Sequence, residues 1–357
     1  MRKLFILFAA VAFAFAFTTP AKAEVNFSGF VAFETYMTSV DSPGTTPDAD
    51  DLLWTLDRVC SRLSANFKEG PVSGYVELRP LVNSYVRHWW ASWNFGAGTF
   101  GIGQTWTPEF SCIGSVKRGC GAAGPLDPAC SARIPFAQLQ FGGLKIAAGE
   151  PNTPAAAVVA AGGGTVGGTY TDVETSLPKL MASYNLNVAM VGLKLFGGYN
   201  TYAERDPATD QSVDIDSYVV GLTASAGLGP LTVKGMVYTG ENTVEYGVGA
   251  PAFNAFWNGT AIVDESGMWY GIDVAYKVSD MFSVAAGYQT GESESDRPGT
   301  YEDPTTTYFA NATITLAKGV TLTPEYAVVD NDEITVAGVK TEESKTTWIG
   351  VYWQINF

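Results

Sequence analysis

The sequence is poor in charged residues and contains a single histidine. Only 16% of its 357 residues are charged, against ~25% in typical soluble domains. Its formal net charge is −15, and a chain this acidic repels nucleic acid, so we expect no nucleic-acid partner. Because His88 alternates with Arg87, we expect its side chain to point outward or into a subunit interface. A hydrolytic triad needs a histidine beside its nucleophile, so we predict no enzymatic activity.

Long apolar runs are also missing after residue 23. Before it, Arg2 and Lys3 precede the apolar stretch 4–17, and residues 21–23 have the small-x-small pattern of a cleavage site. We predict a secretory signal peptide over residues 1–23, cleaved after Ala23. The alternative is a membrane anchor, but 14 apolar residues fall short of the ~20 that a spanning helix needs. Residues 24–357 would then form one domain with a formal charge of −18, because cleavage removes three basic residues and no acid.

Alternating apolar and small or polar residues are abundant instead. Every even position from Met268 to Val278 is apolar, while the odd positions include Gly271, Asp273 and Lys277. Such period-2 patterns recur along the chain and predict β-strands with one lipid-facing side. An exported protein without a spanning helix is either soluble or a closed β-barrel. The polar faces carry mainly Ser, Thr, Gly, Ala, Asn and Gln, which favours a barrel around a water-filled lumen over a β-sandwich.

Turn-forming residues divide the chain into sixteen such strands. Short connections are predicted at 68–71, 96–98, 142–143, 185–187, 227–230, 278–280 and 317–319. Longer segments lie between them at 39–51, 80–84, 107–132, 151–176, 203–212, 242–265, 291–303 and 331–342. We therefore predict an all-β fold, a closed antiparallel transmembrane β-barrel of about 16 strands with both termini on the short-turn side. The alternative at 80–84 is one bent strand over 72–95, which would change the count.

The last predicted strand ends on phenylalanine. Trp353, Ile355 and Phe357 share one apolar face with Ile349 and Val351. A final strand with this alternation and a terminal Phe resembles the signal that outer-membrane assembly machinery reads. We therefore predict that Phe357, Ile355 and Trp353 form a C-terminal assembly signal.

Two further segments carry a more specific pattern. Ser61–Gly70 joins an arginine and small residues to Phe-Lys-Glu-Gly, and Arg87–Gln104 runs from an arginine through aromatic and small residues to Phe-Gly and a later glycine. Together with the strand pattern and the terminal Phe357, they resemble the Gram-negative general porins, which are sixteen-stranded trimeric barrels. Where these porins carry an arginine this chain has Gln104, so one rung of the expected basic wall is absent. The resemblance implies that residues 107–132 are the third loop, folded into the lumen as a constriction loop.

The resemblance also implies a constriction in which wall arginines face acids on that loop. With 52–67 taken as one strand, the alternation places Arg58, Arg62 and Arg79 on the inner face, and the resemblance implies that Arg87 is a further wall arginine. The loop supplies the acids Glu109 and Asp127 and also two bases, Lys117 and Arg118. Opposite charges across a narrow bore orient dipolar solutes and disfavour apolar ones. The alternative for each arginine is a structural ion pair with a neighbouring acid.

The four cysteines lie in an unusual place. Cys60 is on a predicted wall strand, and Cys112, Cys120 and Cys130 all fall in the loop 107–132. Four cysteines in an exported chain suggest two disulfides with three possible connectivities. Three loop cysteines cannot all pair with one another, so we predict one bridge from Cys60 to the loop and a second within it. The spacing lacks the close cysteine pairs of zinc sites, and free thiols are the remaining alternative.

These features predict an outer-membrane channel for passive diffusion of ions and small hydrophilic solutes. We expect a homotrimer in contact with outer-membrane lipid and lipopolysaccharide, with no cofactor and no metal. Acidic outer loops favour cations at the mouth, so we expect a mild cation preference at low salt. One alternative is a substrate-selective channel for a sugar or a specific ion, with Trp89, Trp93 and Trp106 as lumen aromatics. Another is a structural or adhesive barrel with a plugged lumen.

Overall fold

Antiparallel strands make up nearly all of the computed structural model. It describes residues 23–44, 49–58, 60–79, 85–118, 133–153, 159–160, 172–206, 210–248, 255–257, 261–296, 301–336 and 338–357. Most of the predicted signal peptide, residues 1–22, lies outside this set. Among the described residues, no helix is long and apolar enough to cross a membrane.

The strands follow one another along the chain with few other elements between them. They are β1 (Glu24–Asp41), β2 (Ala49–Leu56), β3 (Arg62–Glu69), β4 (Val72–Arg79), β5 (Tyr85–Asn94), β6 (Thr99–Trp106), β7 (Arg133–Phe141), β8 (Leu144–Gly149), β9 (Val159–Ala160), β10 (Asp172–Glu174), β11 (Lys179–Val188), β12 (Val191–Asp206), β13 (Gln211–Leu228), β14 (Leu231–Glu241), β15 (Phe256–Trp257), β16 (Ile262–Val263), β17 (Glu265–Lys277), β18 (Phe282–Ser295), β19 (Tyr301–Ala317), β20 (Val320–Asp330), β21 (Glu333–Val336), β22 (Val339–Glu342) and β23 (Lys345–Asn356). One short helix, α1 (Thr243–Tyr246), follows β14.

The long strands close into a barrel of sixteen antiparallel strands. β1 pairs with β23, from Phe30 opposite Asn356 to Asp41 opposite Lys345, so the first and last strands seal the cylinder. β2 and β3 both pair with β1 and are two halves of one barrel strand. β10 and β11 both pair with β12 in the same way. The predicted fold class and strand number are confirmed.

Side chains alternate between the two faces of the barrel as the sequence predicts. In β17, Met268, Tyr270 and Ile272 are exposed in the isolated chain, whereas Trp269 and Asp273 are buried. Lipid requires the apolar side chains to face outward. The buried side chains, both polar ones such as Asp273 and large ones such as Trp269, therefore face the lumen.

One of the predicted turns is misplaced. Residues 185–187 lie within β11, and the turn follows at Ala189 and Met190, where Ala189 has a φ of 52°. Leu186 and Val188 are exposed on the outward face, and the two asparagines alternate with them on the other. Asparagine is common in turns, and the sequence therefore predicts a turn here. In the structure the two asparagines lie on the inward face of β11. Residues 80–84, predicted as a loop, lie outside the described residues; the strands on either side of them, β4 and β5, are separate and antiparallel.

A second difference affects the strand predicted over 52–67. The chain turns at Arg58 and Cys60, between β2 and β3, and the Ser61 N–H donates to the Asp57 carbonyl oxygen at 3.0 Å. The Asp57 side chain fixes this turn, since its carboxylate accepts hydrogen bonds from the Cys60 N–H at 2.8 Å and the Tyr352 hydroxyl at 3.1 Å. The prediction of one continuous strand is therefore wrong, because a buried carboxylate rather than the alternation sets the backbone here.

Candidate functional site

The inner wall formed by β3–β5 brings basic side chains to a single carboxylate, that of Glu77. Arg87 Nε lies 2.7 Å from Glu77 Oε1, and Arg62 Nη1 lies 3.4 Å from the same oxygen. The Tyr75 hydroxyl donates to Glu77 Oε2 at 2.6 Å. The side chains of Glu77 and Arg87 are buried, while that of Arg62 is 25% exposed. The predicted wall residues Arg62 and Arg87 thus lie together and share one acid.

A β-bulge in β5 turns two consecutive side chains to the inside. Glu77 pairs with His88, and the register then skips Arg87. A bulge places two residues opposite one and redirects a side chain. His88 is 2% exposed, and its Nδ1 lies 2.8 Å from Thr105 Oγ1. The prediction that His88 points outward is therefore wrong, because strict alternation fails at a bulge.

Two more arginines complete what we call the arginine cluster, Arg62, Arg79, Arg87 and Arg133. The Arg79 guanidinium carbon lies 5.3 Å from the ring centre of Tyr85, and that of Arg133 lies 4.1 Å from the ring centre of Trp106. Such cation–π contacts stabilise a partly desolvated charge. The Nε atoms of Arg79 and Arg133 are buried, and neither has a hydrogen-bond partner among the residues the structure describes.

Sequence reasoning missed Arg133. It lies directly after the predicted loop 107–132, where no strand pattern assigns it to a face. Its place in the cluster follows from the register of β7 with β6, which sets Arg133 opposite Trp106. Arg58, by contrast, lies in the turn between β2 and β3 with its side chain exposed. It is therefore not on a wall strand, and the predicted spacing from Arg62 along one strand does not apply.

Residues 107–118, which we call the inner segment, contact the wall strands in their order around the barrel. The Lys194 ammonium of β12 donates to the Phe110 carbonyl oxygen, and Ser111 Oγ lies 3.0 Å from Thr223 Oγ1 of β13. Farther on, Ser115 donates its N–H and its hydroxyl to Asp273 of β17 at 2.9 and 3.0 Å. These contacts hold the segment against β12, β13 and β17.

Glu109 is held by side chains of β11 and α1. Its Oε1 accepts a hydrogen bond from the Tyr246 hydroxyl at 2.9 Å and lies 3.9 Å from the Lys179 ammonium. Both Glu109 and Lys179 are buried. Burial and the Glu109 carboxylate raise the pKa of Tyr246 well above its usual range, so the hydroxyl stays protonated and donates. The contacts of Glu109 therefore anchor the inner segment instead of facing the arginine cluster.

The end of the inner segment is fixed by Glu325 of β20. The backbone N–H groups of Lys117 and Arg118 donate to Glu325 Oε2 and Oε1 at 2.6 and 3.1 Å. Three side chains add hydrogen bonds of 3.2–3.4 Å to the same carboxylate, those of Asn311, Trp348 and Tyr36. The Arg118 guanidinium carbon lies 5.0 Å from the Trp348 ring centre. Lys117 and Arg118, predicted only as loop charges, thus carry the backbone contacts that fix the segment. Asp127 lies outside the described residues.

A second segment folded against the inner wall was not predicted from the sequence. α1 follows Asn242, a residue with a φ of 49°, and its Glu245 and Tyr246 are fully buried. Tyr246 packs in an apolar cluster with side chains of the inner segment and of the wall: Ile113, Phe196, Val219, Met236, Tyr238, Val248 and Trp269. Within the described residues, this packing fills part of the bore on the side of β12–β17. A polar stretch such as 242–248 gives no periodic signal for it.

The cysteines and tryptophans differ in how far they follow the expectations. Cys60 and Cys112 are both disulfide-bonded, while Cys120 and Cys130 lie outside the described residues.

Trp89 and Trp93 are 59% and 51% exposed and alternate with inward residues of β5, so they lie on the outer surface and not in the lumen. Trp106 does lie inside, stacked on Phe110 with ring centres 3.9 Å apart.

Comparison with known protein families decides what this barrel is. The family described as Gram-negative porin matches residues 9–334. The chain belongs to the Gram-negative porin family. It is accordingly an outer-membrane channel for the passive diffusion of small solutes. The resemblance inferred from the strand pattern and the terminal Phe357 is confirmed.

Solved structures of other outer-membrane proteins share the fold of this porin. The outer membrane channel DcaP of Acinetobacter baumannii has a TM-score of 0.71 and 18% identity, covering 96% of this chain and 99% of its own. The anion-selective porin from Comamonas acidovorans has a TM-score of 0.59 and 13% identity, covering 94% and 100%. OmpT of Vibrio cholerae has a TM-score of 0.56 and 14% identity, covering 94% and 99%. No curated protein sequence matches the chain.

Proposed function

We propose that this porin is a general diffusion channel whose narrowest part lies between the arginine cluster and the inner segment. The observation that carries the proposal is the pairing of Arg62 and Arg87 with the single carboxylate of Glu77, with Arg79 and Arg133 close to them on the same side of the barrel. Buried guanidinium N–H groups without partners can hydrogen-bond to water and to polar solutes. The inner segment narrows the bore from the other side because Glu109, Asp273 and Glu325 hold it against the wall. It is the first part of an inward-folded third loop.

Swelling of liposomes that contain the purified porin tests this function. Passive diffusion predicts that neutral sugars enter at rates that fall steadily with their size and rise in proportion to their concentration. A substrate-selective channel would instead saturate with one sugar. Of the three tryptophans on which that alternative rested, Trp89 and Trp93 face outward and Trp106 alone faces the bore. Absence of swelling with every sugar would support a plugged, structural barrel instead.

The charge distribution supports a selectivity that depends on salt. We expect potassium to be mildly preferred over chloride at low salt, because the acidic loops raise the cation concentration at the mouth. These exposed charges are screened beyond ~8 Å at physiological salt, whereas the arginine cluster acts where the bore is narrow. Reversal potentials across planar bilayers should therefore shift toward chloride as salt rises. A strong chloride preference already at low salt would contradict this.

We infer that a disulfide from Cys60 ties the inner segment's loop to the wall and that a second bridge lies within the loop. The disulfide state of Cys60 and Cys112 supports this. Loss of a native disulfide costs about 2–5 kcal/mol in small domains. We expect Cys60→Ser to lower the free energy of unfolding by an amount in this range and to add open-channel current noise. Peptide mapping without reductant should recover Cys60 joined to a loop peptide, and a free Cys60 thiol would refute the tether.

The end of β23 supports the proposed assembly signal. The Phe357 N–H and carbonyl oxygen pair with Gly29, and the Phe357 side chain remains 68% exposed. An exposed aromatic that does not pack in the barrel is free for recognition by assembly machinery. We expect Phe357→Ala to reduce the amount of folded porin in outer membranes severalfold, while the purified variant refolds in detergent as the wild type does. Equal reduction in both settings would indicate a stability role only.

We also propose that the porin is a homotrimer, is exported by a signal peptide cleaved after Ala23, and contacts lipopolysaccharide. OmpT of Vibrio cholerae, whose fold is similar, has been solved in a trimer form. Outward-facing tryptophans such as Trp54, Trp89 and Trp93 suit either lipid or a neighbouring subunit. We propose no enzymatic activity: His88 is buried beside Glu77, where its role is to complete the hydrogen bonding of the wall.

A further inference from the structure

A cavity of about 450 Å³ lies between the inner segment and the short-turn ends of β11–β14. Residues 110–113 form one side of it. The wall side contributes six polar side chains: Asn185, Asn187, Lys194, Thr223, Ser225 and Lys234. The cavity is therefore open to the bore and rich in hydrogen-bond donors. It is separate from the arginine cluster, which lies on β3–β5 and β7.

The charged side chains that line this cavity are two lysines, Lys194 and Lys234. None of its lining residues carries a carboxylate. Lys194 donates to the Phe110 carbonyl oxygen, and an ammonium group has three hydrogens to donate. Lys145 of β8 repels Lys194 electrostatically, and Glu109 attracts it. Among the described residues, neither Lys145 nor Lys234 forms an ion pair.

The acids nearest to the cavity are already engaged elsewhere. Asp273 lies opposite Lys234 in the register of β14 with β17 and interacts electrostatically with it, while its two oxygens accept hydrogen bonds from Ser115. Glu109 is held by Tyr246 and Lys179. Neither acid lies within ion-pair distance of Lys194 or Lys234 among the described residues. Both ammonium groups therefore keep hydrogens that an anionic ligand can accept.

The strand register brings the two lysines to the opposite ends of one row of donors. Lys194 of β12 pairs with Thr223 of β13, and Ser225, two residues on, pairs with Lys234 of β14. Strand spacing and rise place the two lysine Cα atoms about 12 Å apart, a gap that two extended lysine side chains can close around a small ion. The hydroxyl groups of Thr223 and Ser225 lie between them. This arrangement offers charged and neutral donors to a single ligand.

We propose that this cavity is a binding subsite for small oxyanions, the carboxylate or phosphate group of a passing solute. Charge-assisted hydrogen bonds from ammonium groups to such oxygens are roughly twice as strong as hydrogen bonds between neutral groups. The subsite would hold anionic solutes after they pass the arginine cluster and so make their passage saturable. The proposal rests on the proposed channel function, and it adds a ligand class that a general diffusion channel does not require.

Single-channel recording with inorganic phosphate tests the subsite. At constant ionic strength, added phosphate should lower the chloride current of the wild-type porin along a saturating curve. Lys234→Gln should weaken this block about tenfold, the effect of losing one charge-assisted hydrogen bond, and Lys234→Arg should retain it. The double variant Lys194→Gln/Lys234→Gln should show no saturation. Lys318→Gln, which removes an exposed charge from a short turn, should behave as the wild type.

The outcomes separate this proposal from the channel function itself. A wild-type porin that conducts but shows no saturable effect of phosphate would overturn the subsite and leave the channel intact. Equal phosphate block in the wild type and in both lysine variants would also overturn it, by placing the effect elsewhere. A porin without any conductance would instead refute the proposed function. Because Lys194 also holds the inner segment, the Lys234 variants decide the matter if the double variant fails to fold.

Discussion

Replacing Glu325 with glutamine should release the end of the inner segment. Both carboxylate oxygens accept hydrogen bonds from donors, including the fixed N–H groups of Lys117 and Arg118. A glutamine turned either way sets its own NH₂ group against one of these donors. Lost bonds to a charged group and an unsatisfied buried donor together cost about 2–4 kcal/mol. We expect a fall of this size in the free energy of unfolding, measured with denaturant in detergent, and frequent current flicker in planar bilayers.

Asp273→Asn provides a matched control on the same segment. The Asp273 partners are the N–H and the hydroxyl of Ser115, and a hydroxyl can accept a hydrogen bond as well as donate one. An asparagine can thus accept from the N–H and donate to the hydroxyl. We expect little change in stability and a quiet open channel. If Glu325→Gln were as stable and as quiet as Asp273→Asn, the anchoring role of Glu325 would be wrong.

Removing the charges of Arg62 and Arg87 should turn the channel toward cations. A unit charge at ~4 Å in water contributes about 1 kcal/mol, or about a fivefold change in ion preference. We expect the ratio of potassium to chloride permeability to rise about fivefold in Arg62→Gln. It should rise further in the double variant with Arg87→Gln, where the charge of Glu77 also loses its partners. Reversal potentials at ~1 M salt give the measurement, because the field of the exposed loop charges then extends over only ~3 Å, whereas partly buried charges such as that of Arg62 are screened much less.

Arg205→Gln is the control for charge outside the constriction. Arg205 is exposed and pairs with Glu174 and Asp210 near the end of β12. Its charge is screened at high salt, so its removal should leave the permeability ratio unchanged there. Arg62→Gln is the informative single variant, because Arg87 still pairs with Glu77 and keeps the wall folded. An unchanged ratio in Arg62→Gln at ~1 M salt would show that the arginine cluster does not lie in the path of ions.

The barrel could be predicted from the sequence because lipid imposes a simple rule. Hydrocarbon demands an apolar side chain at every second position, as in Met268, Tyr270 and Ile272, and this repeat reveals strands, turns and their number. The rule fails where something other than lipid sets the backbone. The carboxylate of Asp57 breaks the strand before Arg62. The bulge at Arg87 turns His88 inward.

Much of the candidate site could not be predicted because its contacts are distant in sequence. Glu109 meets Lys179 and Tyr246, and Lys117 meets Glu325; no local pattern encodes these pairs. Arg62 could be predicted because it lies on a regular strand, and Arg87 because its segment resembles that of the porins. The alternation thus gives the face on which a side chain lies, whereas the partner on that face depends on how the interior segments pack.

The conductance of single purified channels tests the central claim most directly. A closed barrel with a water-filled bore predicts discrete current steps in planar bilayers, each linear in voltage and rising with the concentration of potassium chloride. Circular dichroism of the same sample should show β-sheet in detergent, so that the protein tested is known to be folded. Folded protein that inserts into the bilayer without producing any current steps would contradict the account.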